Sequence, residues 1–319
     1  MGAMRLAFVA FLAALTLAGQ ASPSAAALAK PGLAAADPLL ARVAEEADAM
    51  AQNIPRTLTI ETLEQRGVRP PARFRPRVGA AATTAPVVRS TVRQIVSEYS
   101  VGTLKETDSR DLHEFRQVIS VDGHPVQTEE RARRALSLGM QSESDRIRKR
   151  MLEQFAKHGL VDIATDYGLI LLQFTRRGWE NLQFGASEEA RLGTDTAVVL
   201  GWKQLSTVGG ELEFHGRRAV RQSLEGRLWI RKSDGLPLRV EAWAELQDGS
   251  HKVRDQASVD YAMSPHGFLT PSSVVHRHSV DGQLMTENLY QYAPFKMFSA
   301  EADIKFTEVP EPPPAPEKP

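Results

Sequence analysis

The sequence predicts an α+β fold in which amphipathic helices pack on an antiparallel sheet, and three observations carry that reading. Four Asp-Gly pairs, Asp122-Gly123, Asp234-Gly235, Asp248-Gly249 and Asp281-Gly282, are flanked by β-branched or aromatic residues. Asp-Gly supplies the positive φ angles that tight hairpins require, so each pair marks a turn between antiparallel strands. Two amphipathic stretches, Glu129 to Met140 and Ser144 to His158, stand between the early and late strand signals. Finally, the late strands share one apolar face when they are paired through their turns.

The first thirty residues read as a secretory leader. Arg5 precedes the apolar run Leu6 to Ala18, and small residues follow at Ala25, Ala27 and Ala29, which fits residues 1–29 as a cleaved signal peptide. The run is shorter than the ~20 residues of a membrane span, so no integral membrane segment is expected after cleavage. Gln20 stands where a lipoprotein signal would carry cysteine, and the expected location is therefore periplasmic or secreted, without a lipid anchor. The chain contains no cysteine, which excludes disulfides, zinc–thiolate sites and a thiol nucleophile. Its 39 basic and 39 acidic residues cancel, so the overall field favours no nucleic acid partner.

Residues 30–86 carry a helix, a strand and a linker. Asp37-Pro38 offers an N-cap and a proline at the first helical position, and Leu39, Leu40, Val43, Ala47 and Met50 follow at helical spacing, giving a helix over 38–52. Residues 57–64 alternate as a strand would. From Arg69 to Pro86 come Pro70, Pro71, Pro76, Pro86 and the tract Gly79-Ala80-Ala81-Ala82, the composition of a connection.

Residues 87–307 form the main folded body. In its first helix Ala132, Ala135, Leu136 and Met140 share a side, and in the second Ile147, Met151, Leu152 and Phe155 do, ahead of Gly159. Strand signals resume over 196–205, turn at Gly209-Gly210 and continue over 211–215 and 219–223. A three-residue loop at Ser233-Asp234-Gly235 sets Ile230 opposite Leu238 and Leu228 opposite Val240. A two-residue loop at Asp248-Gly249 then sets Val240 opposite Ala257 and Leu238 opposite Val259, so one apolar face crosses three strands. The reverse face pairs Arg227 with Glu241 and Trp229 with Arg239, an ion pair and a cation–π contact. The tail over 308–319 holds six prolines and buries no core.

The segment Gly226-Arg227-Leu228-Trp229-Ile230-Arg231-Lys232-Ser233-Asp234-Gly235-Leu236-Pro237-Leu238-Arg239-Val240, with Phe268-Leu269-Thr270-Pro271-Ser272-Ser273 and the closing stretch 288–304, resembles the outer-membrane lipoprotein-sorting (LolA-like) superfamily. The resemblance implies an exported half-barrel: a curved antiparallel sheet around helices, holding a lipid or lipoprotein acyl chain in its apolar concavity. It brings no catalytic residues and no cofactor, and an enzyme is not favoured. A second reading is an envelope signalling or scaffold protein of the same fold that meets an envelope protein through its proline-rich tail.

Three groups of residues carry candidate chemistry. A two-residue loop at Asp281-Gly282 sets Glu287 opposite His276 and Met285 opposite His278, so that His276, His278 and Glu287 form a weak candidate metal trio and a third reading as a metal-dependent enzyme. Arg131, Arg133, Arg134, Arg146, Arg148, Lys149 and Arg150 on the two central helices suit phosphate head groups or a solvated face with Glu129, Glu130, Glu143, Asp145 and Glu153. Trp179, Trp202, Trp229 and Trp243 are candidates to line an apolar ligand site, or ordinary packing. No phosphate loop, Gly-x-Ser-x-Gly elbow or His-Glu-x-x-His motif occurs.

Overall fold

A computed structural model describes residues 37–69, 89–105, 111–160, 166–206, 211–215 and 218–298. The leader, most of the proline-rich connection, the Gly209-Gly210 turn and the tail lie outside the described residues. The chain begins with helix α1 (Pro38–Asn53), capped where Asp37 Oδ1 accepts from Leu39 N at 2.8 Å. Strands β1 (Thr57–Arg69), β2 (Arg89–Thr103), β3 (Leu112–Val121) and β4 (His124–Pro125) follow. Helices α2 (Glu129–Gln141) and α3 (Asp145–His158) come next, capped by Thr128 and Ser144. The 3-10 segment Tyr167–Phe174 then precedes the remaining strands.

Those strands are β5 (Leu182–Leu192), β6 (Asp195–Gln204), β7 (Glu211–His215), β8 (Arg218–Gln222), β9 (Glu225–Arg231), β10 (Pro237–Asp248), β11 (His251–Met263), β12 (Leu269–Val280), β13 (Gln283–Tyr292) and β14 (Lys296–Met297). Of the fourteen described strands, twelve form one antiparallel sheet in the order β4-β3-β2-β1-β13-β12-β11-β10-β9-β6-β5, with β14 on the end of β1, and β7 and β8 pair as a separate hairpin. The sheet is open, with β4 and β5 at its edges. Register shifts interrupt the pairing of β2, β5, β10, β11 and β12, and such bulges bend strands and sharpen their twist. The α+β layout of a broad antiparallel sheet with helices against it is thus present. β1, which precedes the connection, lies mid-sheet between β2 and β13, and α1 adds Leu40, Val43, Ala47 and Met50 to the main core.

One face of the sheet carries that core. Leu63, Tyr290, Val274, Val259, Val240, Leu228 and Leu200 face one another across successive strands from β1 to β6, all buried or nearly so. The segment Tyr167–Phe174 and α1 pack over this inner face. On the opposite face of β2 and β3, α2 and α3 enclose a smaller cluster of Leu104, Phe115, Leu136, Met151 and Leu152. Gly139 lies against α3, and a Cβ there would press on the flexible end of Met151 and require it to shift.

The expected register is met at Leu228 opposite Val240 and Arg227 opposite Glu241, where Arg227 Nε donates to Glu241 at 2.7 Å. Two details differ. The loop after β10 is Gly249-Ser250, so Val240 faces Val259 and Ala242 faces Ala257; the shift of two residues preserves the face. A bulge between Pro237 and Arg239 pairs Ile230 with Pro237, which leaves Leu238 half-buried. Trp229 and Arg239 are cross-strand partners, but Asp260 draws the Arg239 guanidinium away, and the cation–π contact is Arg254 over Trp243 at 5.5 Å.

Val240→Asp is predicted to unfold the domain or cost several kcal/mol, because an unpaired carboxylate would sit in the inner face. Leu238→Asp is predicted to cost less than about 1 kcal/mol. Equal losses in urea titrations of the two variants would contradict this assignment of faces.

Candidate functional site

The segment Tyr167–Phe174 is eight residues of mostly apolar chain, buried at Tyr167, Leu169, Ile170, Leu171 and Phe174. Runs of 3-10 geometry beyond three or four residues are uncommon, so tertiary contacts must hold this one. Its C-terminal end is tied by Gln204 Nε2 donating to Gln173 Oε1 at 3.0 Å and by Phe174 edge-on against Trp202 at 5.3 Å. At its middle, Leu171 N donates to Tyr261 Oη at 3.0 Å, and Tyr261 Oη donates to the Gly168 carbonyl at 3.1 Å. One phenol on β11 therefore closes two backbone groups of the segment.

The N-terminal end meets a buried charged cluster. Asp166 adopts φ 69°, the left-handed region. Its carboxylate accepts from Glu114 N at 2.7 Å and faces His113 Nδ1 at 2.9 Å, while its own N–H donates to Glu114 Oε2 at 3.2 Å. Arg116 donates twice to Glu61, at 2.7 and 2.8 Å, and also to Glu114. The rings of Tyr99, Phe155 and Tyr290 lie within 5.5 Å of this guanidinium. Burial, opposed by Arg116 and reinforced by the charges of Asp166 and Glu61, raises the Glu114 carboxyl above its ordinary value. Burial also raises the phenols of Tyr99, Tyr290 and Tyr292.

Glu114 Oε1 and Tyr292 Oη are buried without hydrogen-bond partners among the described residues. Both point at Gly168: a Cβ built there would lie 2.5 Å from Glu114 Oε1 and 3.3 Å from Tyr292 Oη. Glu114 Oε2 accepts from Arg116 and from Asp166 N, while Oε1 faces the Gly168 backbone.

A second polar row crosses the same face. Leu160 N donates to Gln65 Oε1, Gln65 Nε2 donates to Asn288 Oδ1 at 2.9 Å, and Asn288 Nδ2 faces His276 Nδ1 at 3.3 Å. Beyond His276, its Nε2 lies 3.4 Å from Asp255 Oδ1, to which His278 Nδ1 also comes within 2.7 Å. Burial raises the Asp255 carboxyl, but the hydrogen bond with His278 and the adjacent His276 ring outweigh it and hold the group well below the usual carboxylate range. His276 also stacks on Tyr167, with ring centroids 5.0 Å apart. Both polar groups therefore converge on residues 166–168.

The expected trio of His276, His278 and Glu287 is not brought together. A bulge between His278 and Ser279 moves the register by one, so Glu287 faces Arg277, with Arg277 Nε donating at 2.7 Å, and His278 faces Thr286 rather than Met285. Asp255 takes the carboxylate's place. The donor chain from Leu160 makes His276 Nδ1 an acceptor, which leaves the proton on Nε2 toward Asp255 and not a lone pair for a metal. Among the described residues no cluster of three His, Cys, Asp or Glu suits a metal ion.

Of the tryptophans, Trp202 reaches the segment and Trp179 packs at the core margin. Trp229 and Trp243 lie on the other face, where Trp243 Nε1 donates to Glu225 at 2.9 Å. Among the basic residues, Arg133 pairs with Glu98 and Glu129, and buried Arg148 pairs with Asp145 and donates to the Ser142 carbonyl. Asp255, His113, Glu114, Arg116 and Glu61 were not marked by any sequence motif. Asp255 shares the period-two face of Ala257, Val259 and Tyr261, which is the signal that singles it out.

No protein-family description and no curated protein matches the sequence. Among solved structures the chain is similar to a LolA superfamily protein from Nitrosomonas europaea, at 10% identity and a TM-score of 0.30, covering 83% of this chain and 96% of that one. It is likewise similar to a DUF1329 family protein from Desulfovibrio piger, at 11% identity and a TM-score of 0.31, covering 84% and 97%. A structure of MucB in complex with MucA(peri) aligns at 10% identity and a TM-score of 0.18, covering 82% and 98%. The strand order and register given above define the fold independently of these superpositions. No helix among the described residues is long and apolar enough to cross a membrane.

Gly168→Ala is predicted to destabilise the protein by about 1–3 kcal/mol, because Glu114 and Tyr292 must give way to the new methyl. A stability change within about 0.5 kcal/mol would mean that the segment does not seat on Glu114. For Glu114 the sign is that of a raised carboxyl. The stability tied to its shift is present below the unfolded value of about 4.3 and is lost as pH rises through the folded value. Glu114→Gln, which keeps the protonated shape, is predicted to lose less melting temperature than the native chain between acidic and neutral pH. Parallel pH profiles would exclude a protonated Glu114.

Proposed function

We propose that this protein is an exported envelope binding protein that holds a lipid or lipoprotein acyl chain against the inner apolar face of its sheet, in the place taken here by Tyr167–Phe174. The observation that carries the reading is the segment itself. An acyl chain offers the same apolar surface and, unlike a peptide, no backbone groups to satisfy. The segment depends on side-chain ties at Asp166, Tyr261 and Gln173, so its departure exposes a contiguous aliphatic strip while the strand ladders stay whole. Burial of a chain on that strip yields roughly 0.8 kcal/mol per methylene, enough for a long acyl chain to replace the segment. The leader expected over 1–29 supports an envelope setting.

Tyr261→Phe removes both hydrogen bonds to the segment. It is predicted to lower stability by about 1–2 kcal/mol and to increase the uptake of a fluorescent long-chain fatty acid. Native mass spectrometry of protein purified from its own envelope is the direct check. A co-purifying lipid or acylated peptide is expected; a bare protein mass together with no fatty-acid uptake by either chain would refute the reading.

A further inference from the structure

The outer surface of α2 and α3 carries charge and apolar groups that the inner face does not use. Arg131, Arg134 and Leu138 lie along one stripe of α2 at helical spacing, and Arg146, Ile147, Arg150 and Lys157 lie along the exposed side of α3. All seven are exposed. Leu138 has the highest relative exposure of any exposed large apolar residue described, at 58%, and Ile147 is 43% exposed. The two helices come together near there, with Ile147 Cγ2 3.4 Å from the position a Cβ on Gly139, the residue after Leu138, would take.

The charge is concentrated on this surface although the whole chain is neutral. Arg133 and Arg148 are spent on structural pairs with Glu98, Glu129 and Asp145. Arg131, Arg146 and Arg150 are not: their side chains stand outside the ion pairs among the described residues. The exposed carboxylates of the pair, Glu129, Glu130 and Glu143, sit at the start of α2 and in the turn. Arginines flanking a protruding Leu–Ile pair match a surface that is negatively charged outside and apolar just beneath.

We infer that the α2–α3 surface docks the protein onto an anionic phospholipid bilayer, with Leu138 and Ile147 entering the interface and Arg131, Arg146 and Arg150 on the head-group phosphates. A protein partner of acidic character would satisfy the arginines, but it leaves two protruding aliphatic side chains without a reason. The docking face is separate from the acyl-chain site and stands or falls without it.

The test is vesicle co-sedimentation of the processed chain purified after export. Vesicles of phosphatidylglycerol mixed with phosphatidylcholine are expected to bind it, vesicles of phosphatidylcholine alone to bind it far more weakly, and added salt to release it. Each arginine near the surface is worth about fivefold in affinity, so Arg131→Gln, Arg146→Gln and Arg150→Gln combined are expected to weaken binding roughly a hundredfold at an unchanged melting temperature. Leu138→Ser is expected to weaken it with the salt dependence retained. Equal binding to both vesicle types, or full binding by the triple variant, overturns the inference. So does self-association that Leu138→Ser abolishes in a chain that binds no vesicles, which would assign the surface to a second copy. A chain that binds vesicles but co-purifies with no lipid and takes up no fatty acid, with or without Tyr261→Phe, upholds docking and defeats the acyl-chain reading; uptake without vesicle binding does the reverse.

Discussion

A guanidinium without water must be paired on nearly every side, and Arg116 is buried to 3% exposure on β3. Its paired donors on Glu61 tie β3 to β1 across the intervening β2, and its bond to Glu114 carries the constraint onward to Asp166. Removing one partner of such a group typically costs about 3–5 kcal/mol, so these strands are held in one register by more than their ladders. Asp166 thereby fixes where the described chain enters the inner face. The left-handed turn at that residue, the absence of a side chain at Gly168 and the stack of Tyr167 on His276 all follow from the position of Glu114 and its neighbours.

The inner face thus has two characters. Over β9 and β10 it is aliphatic and over most of β6 aliphatic and aromatic, and over β1, β3, β11, β12 and β13 it also bears polar groups whose bonds are directional. The 3-10 segment spans the boundary, fixed at its start by polar geometry and covering apolar surface along its length. Apolar contact is non-directional and tolerates exchange of one covering group for another. Hydrogen-bonded contact does not. A chain that leaves the apolar region while staying attached at Asp166 is the conformational change this division permits.

Much of the sheet was legible in the sequence because turn chemistry and period-two alternation are local. Asp234-Gly235 and Asp248-Gly249 located β9, β10 and β11, and the apolar face survived a two-residue error in register since such a slip keeps every side chain on its side. The α2 and α3 stripes were equally plain, although Arg148 and Ile147 exchanged their expected places, Arg148 being buried and Ile147 exposed. The candidate trio failed on a single bulge at His278, a feature no spacing announces, and one residue of shift sent Glu287 to the outer face. The cluster around Arg116 was illegible for a different reason: Glu61, His113, Glu114, Arg116 and Asp166 come from three distant parts of the chain and form no motif until the sheet assembles them. Their one local trace is polarity on strands otherwise fit for a core.

The central claim is that an acyl chain takes the place of Tyr167–Phe174, and amide hydrogen exchange with and without a bound long-chain fatty acid tests it most directly. The account predicts faster exchange at residues 168–174 on binding, with β10, β11 and β12 as protected as before. Unchanged or increased protection of the segment in the bound protein would contradict it.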